Sequence, residues 1–430
     1  MSRFQIILLS TFGFFIVVAV LTFALYRGGS AGEATVVIWG DYPASEWSMF
    51  VNATGLAQDS TLELRYVEKS TDTIEAEFTD ALAEGSGPDL IILSHDQFWK
   101  NRNKLTLIPY QNVSERNFKD TFVEAGEIFL TTEGIYALPL SIDPLILYYN
   151  RDLLSAAAVA TPLAYWDEIY NAAASLTKRD AAGNITQSVI ALGETRNIGN
   201  AKDILSLLFL QAGTSVTGFV GDSVAGELRS LLSNNFDQTV RPADAALDFF
   251  TQFSNPTKSF YSWNRSRPEA QAAFTTGDSA YYLGFASELR ELRGKSPTLN
   301  FSVASAPQSR VSGKTLTFAK VKGVALSRGS RNPSAALEVA LKLISRDSAT
   351  ALAQVLVLPP ARRDLLSARP VDAVLPTFYT AALQSRTWLD PDTQMTKNIF
   401  YEMVDDTTSG RARTTEAVNS ADRKLNSLIN

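Results

Sequence analysis

The stretch Tyr136–Leu154, YALPLSIDPLILYYNRDLL, constrains the fold more than any other part of the chain. Two apolar runs of strand length, Ile135 to Leu140 and Leu145 to Tyr149, flank Ser141-Ile142-Asp143-Pro144, and Asn150-Arg151-Asp152 stops the second. Aliphatic and aromatic runs bounded by Pro, Asp and Asn read as buried strands. Proline cannot donate to a sheet ladder, so the pattern predicts a break at Pro144 between two strands. One carboxylate, Asp143, is left at that break. An acid between apolar strands needs donors to offset its desolvation, and backbone amides or a ligand's hydroxyls are the candidates. The stretch therefore has the character of a crossover beside a ligand cleft.

At 430 residues the chain exceeds one ordinary core, and it fits two lobes of roughly 150 to 200 residues after an N-terminal segment. A hydrophobic content of 45% with 20% charged residues is that of a folded globular protein. The net charge of −6, with Lys and Arg dispersed, gives no basic stripe, so no nucleic-acid partner is expected. Cysteine is absent and His95 is the single histidine. This combination excludes a disulfide framework, a cysteine zinc site, a thiol nucleophile and a multi-histidine metal centre. No metal and no cofactor are expected. A Ser-His-Asp arrangement has only Ser94-His95-Asp96 to draw on, and the ordinary reading there is a loop histidine at a lobe rim.

From Phe4 to Tyr26 no residue is charged; 23 residues rise roughly 34 Å as a helix, enough to cross a hydrocarbon core of about 30 Å. The run is longer than a usual signal-peptide core. It predicts one uncleaved transmembrane helix, with cleavage near Ser30-Ala31-Gly32 as the alternative, and a short tether up to Glu33.

Beyond the tether, strands alternate with helices. Ala34 to Trp39, Thr61 to Glu68 and Asp89 to Leu93 read as strands, and Thr73 to Glu84 as a helix closed by Gly85. Such alternation predicts an α/β layer structure whose ligands bind outside the carboxyl ends of strands. Trp39-Gly40-Asp41-Tyr42 and Ser94-His95-Asp96-Gln97 are two such ends. The last hundred residues read as mostly helical.

Tyr136–Leu154 resembles a segment shared by extracellular solute-binding proteins of ABC importers, the sugar-type family that includes maltose-binding protein. Gly87-Pro88-Asp89-Leu90-Ile91-Ile92, Trp166-Asp167-Glu168, Gln211-Ala212-Gly213, Phe274-Thr275-Thr276-Gly277-Asp278-Ser279-Ala280 and Leu358-Pro359-Pro360-Ala361-Arg362-Arg363 resemble further motifs of that family in the same order. The resemblance runs from about Ala34 to Leu428. It implies a two-lobed periplasmic-binding-protein-like α/β fold (type II, Venus-flytrap) with a hinge. Residues 34–141 and 286–330 are expected in the first lobe, and 142–285 and 331–430 in the second. The resemblance further implies a non-catalytic, membrane-anchored receptor with its soluble part on the extracellular face. It would bind a mono- or oligosaccharide in the interlobe cleft and deliver it to permease subunits. A ligand sensor on the same fold, or a binder of a non-sugar solute, is the alternative.

Sugars need aromatic faces for their C–H surfaces and carboxylates or amides for paired hydroxyls. Asp143 aligns with the family's crossover acid. Asp41, Tyr42 and Asp96 stand at strand ends with Trp39, while Trp263, Phe285 and Trp388 are the remaining aromatic candidates. The loop Gly284 to Glu288 lacks the tryptophan that maltose binders place there, so maltose itself does not carry over. Trp47, Trp166 and Arg362-Arg363 read as structural.

Overall fold

A computed structural model of the chain describes residues 34–56, 62–220, 226–310, 313–368 and 370–429. The expected membrane segment and tether lie outside these residues. Among the described residues no helix is long and apolar enough to cross a membrane.

Three parallel strands begin the fold. Ala34–Gly40 pairs along its length with Leu62–Glu68, and Ile38 and Trp39 face Leu90 and Ile91 of Leu90–Ser94. Their apolar residues alternate between two packed faces. Val36, Ile38, Leu90 and Ile92 enter one core cluster, whereas Ile91 and Leu93 enter another on the opposite side. A sheet buried on both sides reads as a continuous apolar run, as in the LIILS of the third strand.

The expected pair of strands broken at Pro144 is instead one strand, Ala137–Asn150, of 14 residues. Its first half pairs antiparallel with Thr317–Ser327, from Ala137↔Ala325 to Pro144↔Ala319. The second half pairs with Ser279–Phe285, beginning at Leu145↔Phe285, and with Phe301–Ser305. Pro144 sits where the strand changes partner, so its missing N–H falls at a seam between two ladders and does not end the strand. The sheet order is Leu62–Glu68, Ala34–Gly40, Leu90–Ser94, Thr317–Ser327, Ala137–Asn150, Ser279–Phe285, Ile185–Ile190 and Lys178–Arg179. The protein is thus a mixed α/β, two-lobed fold whose lobes share a continuous sheet through two crossover strands.

Thr317–Ser327 carries a register shift between Lys322 and Gly323. A Cβ at Gly323 would stand 2.9 Å from both Ala137 Cβ and Phe129 Cε2. Only glycine lets the strands approach there, and the irregularity sets the direction of the two lysines before it.

The core packing joins segments that the expected boundaries place in different lobes. Helix Pro333–Leu343 and helix Arg346–Leu356 were expected in the second lobe, yet Ala336, Val339, Ala340, Leu343 and Leu352 pack with Val36, Ile38 and Leu90 of the first. The cause lies at Asp89, whose carboxylate receives Val37 N–H at 3.0 Å, Ser330 Oγ–H at 2.6 Å and Arg331 N–H at 3.1 Å. That corner pins the start of Pro333–Leu343 to the first strand. Ala286, Leu289, Leu292 and Val303, expected in the first lobe, pack with Leu145–Tyr148 in the second. Phe301–Ser305 is laddered to Ile146–Asn150, which ties that segment to the second lobe.

Candidate ligand-binding site

Between the lobes lies a cavity of about 380 Å³. Its floor is the crossover itself. Ser141 and Asp143 on one strand face Lys322 and Lys320 on the other, in direct register. Residues two apart share one face of a strand, so these four polar groups project together. The walls come from the turn after the first strand (Asp41, Tyr42) and the helix it opens (Glu46), from Thr71, from the end of the third strand and the helix start after it (Ser94, Asp96), and from the helical turn Ala286–Glu288 and helix Leu289–Lys295, which carry Ser287 and Arg290.

Most charges here are organised into pairs. Lys322 Nζ donates to both Asp41 oxygens, at 2.7 and 2.8 Å, and Thr71 Oγ1 donates to Asp41 Oδ2 at 3.0 Å. Arg290 of the second lobe meets Glu46 of the first at 2.7 Å. Lys202 is paired with the buried Asp390. Lys320 Nζ lies 3.8 Å from Asp203 Oδ2, outside hydrogen-bond reach. Asp143 Oδ1 accepts the Ser287 N–H at 3.0 Å. Tyr42 and Ser141 share a 2.6 Å hydroxyl hydrogen bond, and Tyr66 O–H donates to the Tyr42 carbonyl at 2.8 Å.

These surroundings set the ionisation of the site. Burial pushes the Asp143 carboxyl up to about 6, against the Ser287 hydrogen bond and the Lys320 charge, which favour the anion. Burial would also raise Asp96, but His95, Lys202 and Lys320 outweigh it and hold Asp96 well below the usual carboxylate range. Burial pushes His95 down to about 4, so its ring is neutral near pH 7. Lys320 is raised: burial opposes its charge, but Asp203, Asp96 and Asp143 favour it more.

Of the eight residues expected at the site, Asp41, Tyr42, Asp96 and Asp143 border the cavity together. The others do not. Trp263 is fully buried and donates its indole N–H to Asn197 Oδ1 at 3.1 Å. Trp388 is buried, donates to Ser206 Oγ at 3.0 Å and stacks on Phe400. Phe285 is buried beneath Lys320, and Trp39 is half-buried beneath Lys69. Trp47 and Trp166 are core residues, as expected. Arg362 donates to the Ile344 carbonyl and Arg363 to the Phe122 carbonyl, ties within the first lobe.

His95 is 2% exposed, with Nδ1 3.4 Å from both Ser94 Oγ and Val321 N. It also meets Phe318 edge-on. The ring is a packed link between the third strand and the second crossover strand.

Sequence reasoning missed Lys320, Lys322, Ser141 and Arg290. The lysine pair had a readable signal: in TFAKVKGVALS two cations stand two apart in an otherwise apolar strand, so both must leave the core on one face. Arg290 carried none, because its role depends on the lobes meeting.

The family model for bacterial extracellular solute-binding proteins matches residues 51–374 of the chain. A protein of Brucella abortus (strain 2308) named as a binding protein is 25% identical over 156 residues, which is 36% of this chain and 38% of that protein. A counterpart from Brucella suis biovar 1 (strain 1330) matches to the same extent. The match thus spans well under two thirds of these relatives. Among solved structures, a cyclo/maltodextrin-binding protein complexed with maltotetraose superposes with a TM-score of 0.74 at 17% identity, covering 93% of this chain and 98% of that one. A cyclic alpha-maltosyl-1,6-maltose binding protein from Arthrobacter globiformis gives 0.73 at 14% identity, over 93% and 99%. A structure of CpMnBP1 with mannobiose bound gives 0.68 at 16% identity, over 91% and 100%. At these identities the likeness is one of fold.

Proposed function

Because the chain belongs to the bacterial extracellular solute-binding protein family, we propose that it is the receptor of an ABC importer and binds a mono- or oligosaccharide between its lobes. One observation carries this reading: the crossover strands place Ser141, Asp143, Lys320 and Lys322 side by side on the floor of an interlobe cavity. A sugar ring presents hydroxyls that donate and accept at once. One carboxylate, one hydroxyl and two ammonium groups on one floor match that alternation. The names of three structural neighbours, binders of maltodextrin, a cyclic maltosyl-maltose and mannobiose, support a carbohydrate.

The proposed mechanism is closure without catalysis. The lobes are joined by two strands, and a ligand touching both stabilises the closed form by its differential affinity. Arg290–Glu46 joins the lobes on one side of the cleft, and Lys100–Asp392 at 2.7 Å on another. We assign residues 34–141, the second half of Thr317–Ser327 and helices 333–356 to the first lobe, with the core around Leu145–Tyr148, Val189, Ile190, Phe285 and Leu289 forming the other lobe. The closed form would be read by permease subunits, with the segment before Ala34 holding the receptor at the cell membrane, extracellular lobes outward.

A thermal-shift screen of the full chain in detergent against sugars, polyols, amino acids and anions tests the reading. Stabilisation by sugars without product formation is expected. A response confined to amino acids or inorganic anions would refute the sugar assignment, and turnover would refute the receptor.

A further inference from the structure

The aromatic faces near the cleft are already occupied by cations. Lys320 Nζ lies 4.3 Å from the Phe285 ring centre and Lys322 Nζ 4.7 Å from that of Tyr42. Lys69 covers Trp39 at 4.0 Å. A pyranose entering this cleft meets charge before it meets an aromatic face.

Those charges do not balance. The ionic groups form four pairs: Lys322–Asp41, Arg290–Glu46, Lys320–Asp203 and Lys202–Asp390. Asp96, Asp143 and Glu288 have no ion pair among the described residues. Glu288 is saturated, accepting from Asn200 Nδ2, Gln271 Nε2, Phe285 N and Tyr282 O–H, and it lies outside the cavity wall. Asp96 and Asp143 both border the cavity. The bonds holding Asp143 come from Ser287 alone, and Asp96 is held by Ser94 of its own turn. Each therefore keeps acceptor capacity toward the cavity. His95, beside Asp96, stays neutral and adds no cation at pH 7.

A neutral sugar would satisfy hydrogen bonds but leave Asp96 and Asp143 with only a share of the Lys320 and Lys202 charges, which Asp203 and Asp390 also draw on, as the cleft closes and its effective dielectric falls. An acidic sugar would add a third negative charge. We propose that the solute carries a protonated amine as well as hydroxyls, an amino sugar or aminocyclitol, with its ammonium facing Asp96 and Asp143 and its hydroxyls met by Lys320 and Ser141. This rests on the sugar reading and narrows it. The elevated proton affinity of Asp143 agrees, because a carboxylate without a cation of its own is the group a bound ammonium would restore to full charge.

The test is calorimetric titration of the full chain in detergent with matched sets of mono- and disaccharides in the gluco, galacto and manno series. Each set contains the neutral sugar, its 2-amino-2-deoxy form, the N-acetylated form and the uronate. In the bound series the amine is expected to bind roughly tenfold tighter than the neutral parent, the size of one charge-assisted hydrogen bond. N-acetylation should abolish the gain, and the uronate should bind weakest. A neutral or acidic sugar binding as tightly as its amine overturns the inference while leaving the sugar reading intact. Failure of every sugar, with another solute class bound, overturns both. Asp96→Asn and Asp143→Asn should each lower the amine-to-neutral affinity ratio; a parallel loss for both sugars, with the ratio unchanged, would mark the carboxylates as merely structural.

Discussion

Two aspartates, Asp89 before the run Leu90–Leu93 and Asp143 after the run Ala137–Ile142, flank apolar strands yet have opposite surroundings. Asp89 is 6% exposed and accepts from two backbone amides and a serine hydroxyl within 3.1 Å, joining three segments of the first lobe. Asp143 is only partly buried, is held by the backbone amide and the hydroxyl of one residue, Ser287, and borders a cavity. A carboxylate saturated by its own chain is committed to the fold. One with spare acceptor capacity facing a cleft can be completed by a solute. The difference separates structural from recognition acids where residue type and local sequence do not.

The largest expected effect is on the saturated acid. Asp89→Ala should destabilise the protein by about 3 kcal/mol, because it strands buried backbone donors. Asp143→Ala should cost less than about 1 kcal/mol, since one amide can turn to cavity water. Urea unfolding of the two variants checks this, and equal losses would break the comparison. Next in size is Gly323→Ala at the strand irregularity. Its Cβ would press on Ala137 and Phe129 at 2.9 Å, and overpacking of this kind costs about 1–3 kcal/mol.

A smaller effect follows from pH. The Asp143 carboxyl titrates at about 6 when folded against 3.8 as a free side chain. The folded state therefore binds the proton more tightly, and this contribution is present below 3.8 and lost as pH rises through about 6. His95 acts in the opposite sense. Its folded value of about 4 lies below 6.5, so its contribution is present above 6.5 and lost as pH falls toward 4. The two windows overlap, so the wild-type profile alone would hide both. The stability of wild type minus that of Asp143→Asn should decline as pH rises between these limits; a flat difference would show that burial does not govern this acid. The smallest effect is expected for Lys100→Ala, which removes an ion pair to Asp392 whose lysine is half exposed, worth about 0.5 kcal/mol.

Much of the fold was legible in the sequence because it rests on local pattern. The LIILS strand, the helix after Ser70, and the cores around Trp47 and Trp166 follow from period and burial alone. Pro144 was misleading for a physical reason: a missing N–H breaks a strand inside a ladder but not at a seam between two ladders, and the seam exists only once Thr317–Ser327 and Ser279–Phe285 have docked. The site divided along the same line. Asp41, Tyr42, Asp96 and Asp143 stand where strand ends and the crossover put them, which sequence order conveys. Trp263 and Trp388 pack inward instead, since an indole in a loop reads alike in sequence whether it is buried or faces a ligand.

The central claim is that the crossover strands form the floor on which the solute rests. It is tested most directly by titrating Lys320→Met, in the full chain, with the sugar that binds wild type most tightly. Asp203, Asp96 and Asp143 all favour the Lys320 charge, so its removal should lower the unfolding temperature of the ligand-free protein, and affinity is read at a temperature where both proteins are folded. Affinity should fall roughly tenfold or more, the loss of one charge-assisted hydrogen bond to the ligand. Wild-type affinity in Lys320→Met would contradict the account and move the solute off the crossover floor.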